Sequence, residues 1–274
     1  MAISWDKLED TSDTDPPIVT LYGGAKLGKT TLASEFPLPY YCRTGDGERQ
    51  SAGTPMKSFG VSETYQDVID QIDWMLSPEG NEGICRTWVL DALDGLEVMI
   101  NAEACARNDW ADIEAPGFGK GYAAAHAIWL EFIGKVLELK KAGFYVVLIG
   151  HVKAKTVPGV TTDSYPRYNL NLRDDSASAI CAASDLIGFI HQTVSIKKED
   201  LGFKKTANRA QGGGDVSIAV QERPGYVAGN RYSIPKSTLS FKQGKGFDIL
   251  NQYFPPQPDI ETAEVVEEDQ EDAA

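Results

Sequence analysis

An α/β fold, with a mainly parallel β-sheet flanked by helices, is the class this sequence predicts, and three observations predict it. A β-rich run closed by two glycines leads straight into a helical segment across residues 18–36. The run Phe144 to Ile149 is apolar throughout and bounded by Gly143 and Gly150, which is how a strand buried on both faces of a parallel sheet reads. Between these two, strand-like and helix-like segments alternate, as in successive βαβ units.

The elements follow in order. Ile18-Val-Thr-Leu-Tyr22 is the first strand, and Lys29 to Phe36 begins a helix that Pro37 halts, because proline has no N–H to donate. Tyr40-Tyr-Cys42 is a second strand ending in a glycine-rich turn. Residues 64–77 carry Tyr65, Val68, Ile69, Ile72 and Leu76 at helical spacing before Pro78. After a loop, Thr87-Trp-Val-Leu-Asp91 is a third strand that ends on an acid. Residues 122–142 put Trp129, Phe132, Ile133, Val136 and Leu137 on one helical face, with Gly143 as the stop. Residues 152–175 are polar, hold two prolines and a glycine, and are long for a connection, which marks them as functional or mobile. Asp185 to Val194 and Val216 to Gln221 are further strands, joined by a lysine- and glycine-rich segment expected to be a mobile hairpin, which forms a C-terminal β-hairpin region. With no internal repeat and no second core, one domain over residues 18–255 is expected between an acidic leader, 1–17, and an acidic tail, 256–274.

Composition narrows the function classes. No run approaches the ~20 apolar residues that span a bilayer, and the N-terminus lacks a signal-peptide pattern, so a cytoplasmic protein without a membrane partner is expected. Four cysteines, Cys42, Cys85, Cys105 and Cys181, lie far apart with no C-x-x-C pair, which suggests reduced thiols rather than a zinc site or a disulfide framework. The net charge of −14 is concentrated at the ends. Residues 259–274 hold eight acids and no base, and residues 1–17 hold five acids and only Lys7. The nearly neutral remainder can carry a basic groove, and the tail either competes with a polyanion for it or merely solubilises the chain.

Gly23-Gly24-Ala25-Lys26-Leu27-Gly28-Lys29-Thr30 fits the phosphate-cradling pattern G-x-x-x-x-G-K-[ST] and stands between a strand and a helix, the context it requires. Glycines let backbone N–H groups turn toward phosphate oxygens, and the helix N-terminus favours their charge. ATP and Mg²⁺ are the implied ligands. Residues 23–30 with Thr31 form the cradle, Lys29 reaches the β/γ oxygens, and the Thr30 hydroxyl takes the metal. Asp91 is the candidate second metal ligand, with Asp94 as its competitor and a helix N-cap as the other role of Asp91. Asp46 and Glu48, just past the second strand, are candidates to activate water. His151, leaving the buried strand at the same edge, is a candidate to sense phosphate or bound water.

On these residues the chain resembles the RecA-like P-loop ATPases that bacteriophages encode for single-strand annealing and recombination. The resemblance covers roughly residues 18–255 and rests on Tyr22 to Pro37, Trp88-Val-Leu-Asp91, Val147-Leu-Ile-Gly-His151 and Ala228-Gly-Asn-Arg-Tyr-Ser-Ile-Pro235. In that group the second strand ordinarily ends in a Thr-Glu-like context. Here Gly45 follows Thr44, leaving Asp46 or Glu48 as substitutes. The resemblance implies that residues 152–175 lie near single-stranded DNA, with Lys153, Lys155, Arg167 and Arg173 meeting phosphates and Tyr165 and Tyr168 stacking on bases. Lys197, Lys198, Lys204, Lys205 and Arg209 form a second basic stretch, either a site or a solvated face. Arg231 is either a phosphate-reaching finger, in its own subunit or in a neighbour of a ring or filament, or half of a structural salt bridge.

The reading is a phage-type ATPase that binds single-stranded DNA, assembles as a homo-oligomer and docks a single-strand-binding or replication protein through its tail. Two alternatives stand beside it. One is a small-molecule kinase with residues 152–175 as a lid, and the other is a nucleotide-gated interaction module without turnover.

Overall fold

The computed structural model describes residues 14–45, 57–80, 85–159, 163–200 and 206–257. Residues 258–274 of the acidic tail, all but the last four residues of the leader, Asp46 and Glu48, and Lys204 and Lys205 lie outside the described residues.

The first strand, β1 (Ile18–Gly23), is buried at every position and runs into the short helix α1 (Lys29–Ala33). Next come β2 (Pro39–Arg43) and the helix α2 (Tyr65–Leu76), which starts with a capping box. The Thr64 hydroxyl accepts from the Asp67 N–H, and the Asp67 carboxylate accepts from the Thr64 N–H, so two orphan donors of the first turn are satisfied. β3 (Thr87–Asp91), α3 (Leu93–Arg107), α4 (Lys120–Lys141) and β4 (Tyr145–Val157) follow, then β5 (Tyr165–Leu170) and α5 (Asp174–Ala183). The chain continues with β6 (Leu186–Asp200), β7 (Thr206–Ala219), β8 (Gly229–Asn230), β9 (Thr238–Ser240) and α6 (Gly246–Asn251).

The sheet runs in the order β2-β3-β4-β1-β6-β7-β9. From β2 to β6 every neighbouring pair is parallel, whereas β7, β8 and β9 pair antiparallel. This is the expected α/β P-loop architecture, and the β6–β7 pair is the expected hairpin, with Lys197 opposite Arg209. Alternation along the strands divides the core. Ile18, Tyr22, Trp88, Leu90, Val146 and Leu148 pack with α2, α3, α4 and α5, while Val19, Leu21, Val89, Val147 and Ile149 pack with α1 and α6.

Several elements depart from the sequence expectation. Leu137, placed on the buried face of α4, is 39% exposed, while Trp129, Phe132, Ile133 and Val136 are buried as predicted. The helices α3 and α5 occupy segments for which no helix is predicted. Gly150 does not end the central strand: β4 runs on to Val157 and pairs antiparallel with β5, so much of residues 152–175 is a two-stranded ribbon and the first turn of α5 rather than a loop. The glycine serves packing, since a Cβ there would come 2.7 Å from a Leu170 methyl.

Candidate functional site

The phosphate-loop segment leaves β1 where Gly23 lies opposite His151 of β4 on one side and Ile190 of β6 on the other. It therefore opens at the carboxyl edge of the parallel strands, where both neighbours of β1 come from later in the chain. Two glycines are required by geometry. A Cβ on Gly23 would come 2.3 Å from the Ile190 carbonyl oxygen, and Gly28 has φ 83°, a left-handed conformation that disfavours a side chain. Ala25 and Lys26 are exposed at the loop crest, with Gly24, Leu27 and Thr31 partly covered. Lys29 is 6% exposed, and its ammonium donates to the carbonyls of Gly23 at 3.2 Å and Gly24 at 2.9 Å, so it is folded over the loop it belongs to.

Thr30 and Asp91 meet. The Thr30 hydroxyl donates to Asp91 Oδ2 at 2.7 Å, and the Tyr41 hydroxyl donates to the same oxygen. Asp91 is 1% exposed, and the N-cap position of α3 belongs to Ala92 instead. Asp94, the competitor, sits in the first turn of α3 and turns to His151. The donor set suits a hard cation: one hydroxyl and one carboxylate at a phosphate loop match Mg²⁺, which takes one or two protein oxygens and completes its shell with waters and phosphates.

His151 stands in β4 one residue beyond Gly150, on the face that Val147 and Ile149 share with α1. Asp94 Oδ2 accepts both its backbone N–H, at 3.0 Å, and its Nδ1, at 2.8 Å. A carboxylate accepts only, so Nδ1 carries a proton, and in the neutral tautomer Nε2 is left as an acceptor. As an acceptor Nε2 can take a proton from water, and as a donor in the protonated ring it can reach a phosphate oxygen, so this geometry suits both roles. Thr44, an unforeseen residue, ties the end of β2 to β3. Its hydroxyl donates to the Ala92 carbonyl at 2.6 Å and accepts from the Ala92 N–H at 2.8 Å.

Arg231 lies elsewhere. It pairs with Asp185 at 2.9 Å and donates to the Ala182 carbonyl, beside Ile18 at the amino edge of the sheet. β1 runs six residues from Ile18 to Gly23, so Arg231 stands a strand's length, about 17 Å, from the phosphate loop of its own subunit. The finger role toward its own nucleotide is corrected to the structural salt bridge.

The ribbon gathers Lys153, Lys155, Tyr165 and Arg167, with Lys155 opposite Arg167, whereas Tyr168 belongs to the alternate face opposite Ala154. The cations have acidic or carbonyl partners: Lys153 donates to the Leu172 carbonyl, Lys155 pairs with Asp174, and Arg167 pairs with Glu222. The Lys155 hydrogen bond holds the Asp174 carboxyl below its usual range. Arg173 pairs with Asp175 and lies 3.8 Å over the Tyr122 ring. Sequence reading missed an aromatic stack beside Tyr22, whose ring lies 5.0 Å from that of Phe189. Phe189 is stacked on Tyr168 at 5.5 Å, on Tyr226 at 5.2 Å and on His191 at 5.4 Å, and Tyr168 is 49% exposed.

A family model described as an AAA domain matches residues 15–232, well over half of the chain. No curated protein matches the chain.

Proposed function

Because the chain belongs to the AAA domain family, and so to the AAA-type P-loop ATPases, we propose that it binds ATP with Mg²⁺, hydrolyses it, and couples the nucleotide state to single-stranded DNA in phage recombination, annealing or replication. The observation that carries the reading is the convergence of Lys29, Thr30 and Asp91 at the end of β1, three groups from two elements that a phosphate and its metal both need. Mg²⁺ bound there neutralises charge on the β- and γ-phosphates.

The chain's own residues account for the rest. Lys29 exchanges its two carbonyl partners for phosphate oxygens. Thr30 and Asp91 would supply the protein's oxygen ligands to the metal. His151, its Nδ1 proton held by Asp94, presents Nε2 to the attacking water. Asp46 and Glu48 are the other candidates for that task. The ribbon supports DNA binding because β4 continues from His151 directly into Lys153 and Lys155, so one strand joins the nucleotide edge to the proposed DNA surface. The same reading has the chain act as a ring or filament and dock a replication partner through residues 259–274.

Steady-state ATP hydrolysis with and without single-stranded DNA, beside a Lys29→Ala control, tests this. Stimulation by DNA that disappears in the control supports the proposal. Hydrolysis indifferent to DNA removes the DNA half, and DNA-independent phosphate transfer to a small acceptor favours a kinase.

A further inference from the structure

Asp91 carries a second hydroxyl that no motif announces. β2 pairs with β3 in parallel with Tyr41 opposite Val89, so Asp91, two residues on, is the diagonal neighbour on the same face. A tyrosine side chain is long enough to cross that diagonal. Both residues are buried, at 2% and 1% exposure. A carboxylate taken out of water needs hydrogen bonds to stay ionised without penalty. Here Oδ2 receives two, from Thr30 and from Tyr41, approaching from different elements. Two donors on one oxygen fix the carboxylate plane, and the plane fixes the direction in which the other oxygen points.

We propose that Tyr41 is a positioning residue for the magnesium–nucleotide complex: its hydroxyl holds Asp91 in the orientation that a metal shared with Thr30 requires. The inference rests on the nucleotide-binding reading above and adds to it a group from β2, outside both motifs. It also explains why an aromatic with a polar tip stands at a position where β2 is otherwise packed among Phe36, Val89 and Val147.

The test is a binding titration of a fluorescent ribose-labelled ATP against Mg²⁺, and again in EDTA, for the wild-type chain, Tyr41→Phe and Tyr145→Phe. Tyr145 is a buried tyrosine on the same side of the sheet, at the start of β4. A hydrogen bond to a charged group corresponds to about tenfold or more in an equilibrium. Tyr41→Phe should therefore need about tenfold or more Mg²⁺ for half-saturation, while its affinity in EDTA stays within about twofold of wild type and Tyr145→Phe leaves both unchanged. A purely structural hydroxyl would shift the EDTA and Mg²⁺ curves together. An unmoved Mg²⁺ curve, a parallel loss in EDTA, or a Tyr41→Phe chain that no longer folds would each overturn the assignment. A wild-type chain that binds no nucleotide overturns the functional reading itself and the assignment with it.

Discussion

Asp185 carries a buried carboxylate whose loss should cost this fold about 3–5 kcal/mol. It sits just ahead of β6, 1% exposed, and its two oxygens satisfy three donors: the Ile18 N–H at 2.9 Å, the Lys140 ammonium at 2.8 Å and the Arg231 guanidinium at 2.9 Å. Lys140 is itself 8% exposed, in the last turn of α4, so Asp185→Ala takes a carboxylate away from a buried cation and an acceptor away from the buried Ile18 N–H. Breaking one partner out of a buried pair costs about 3–5 kcal/mol. Arg231 is 58% exposed and returns to water, so it adds little. For a chain of this size, that loss lowers the melting temperature by about 6–20 °C. Thermal and urea unfolding of Asp185→Ala, Arg231→Ala, Lys140→Met and the Asp185→Ala/Lys140→Met double variant give the cycle. Arg231→Ala should stay within about 1 kcal/mol of wild type, and the double variant should be more stable than the sum of its singles. A loss below about 1 kcal/mol for Asp185→Ala, or strict additivity, would refute the reasoning.

The nucleotide edge offers a second prediction: His151→Ala should slow ATP hydrolysis by about 100-fold with ATP affinity unchanged, and Asp94→Asn should move the rate in the same direction by freeing the ring. Single-turnover rates at wild-type level in both would remove His151 from the water-handling role. Alkaline stability offers a third. Burial pushes the Cys42 thiol up from 9.0 to about 12 and Cys181 up to about 11. Above pH 9 the unfolded chain releases those protons while the folded one keeps them, so stability is intact below pH 9 and falls as pH rises toward the folded values. Urea midpoints flat from pH 8 to pH 11 would contradict this.

Much of the site was legible from residues 18–36 and 87–91 alone. A phosphate loop is a local object: its glycines, its lysine and its hydroxyl are contiguous, and the strand before it and helix after it are set by short-range pattern. The central strand was equally plain, because a run buried on both faces has no polar positions to disguise it. The boundaries were not. Gly150 reads as a stop, yet it is there to admit Leu170. The helix α3 carries buried Leu93, Leu96, Ile100 and Ala104 at helical spacing, a signal present in the chain but interrupted by Asp94, Gly95 and Glu97.

By itself, then, the sequence determined that this chain is an α/β P-loop protein and which eight contiguous residues carry the phosphate-loop pattern, because those depend on neighbours along the chain. Only the tertiary structure decided which distant groups join them. It chose Tyr41 and Thr30 for Asp91 and Asp94 for His151, and it sent Arg231 to Asp185 at the opposite edge. The physical reason is register. Which side chains share a face and an edge is fixed by how β2, β3, β4, β1 and β6 align, and a displacement of one residue would turn each of them to the other side of the sheet.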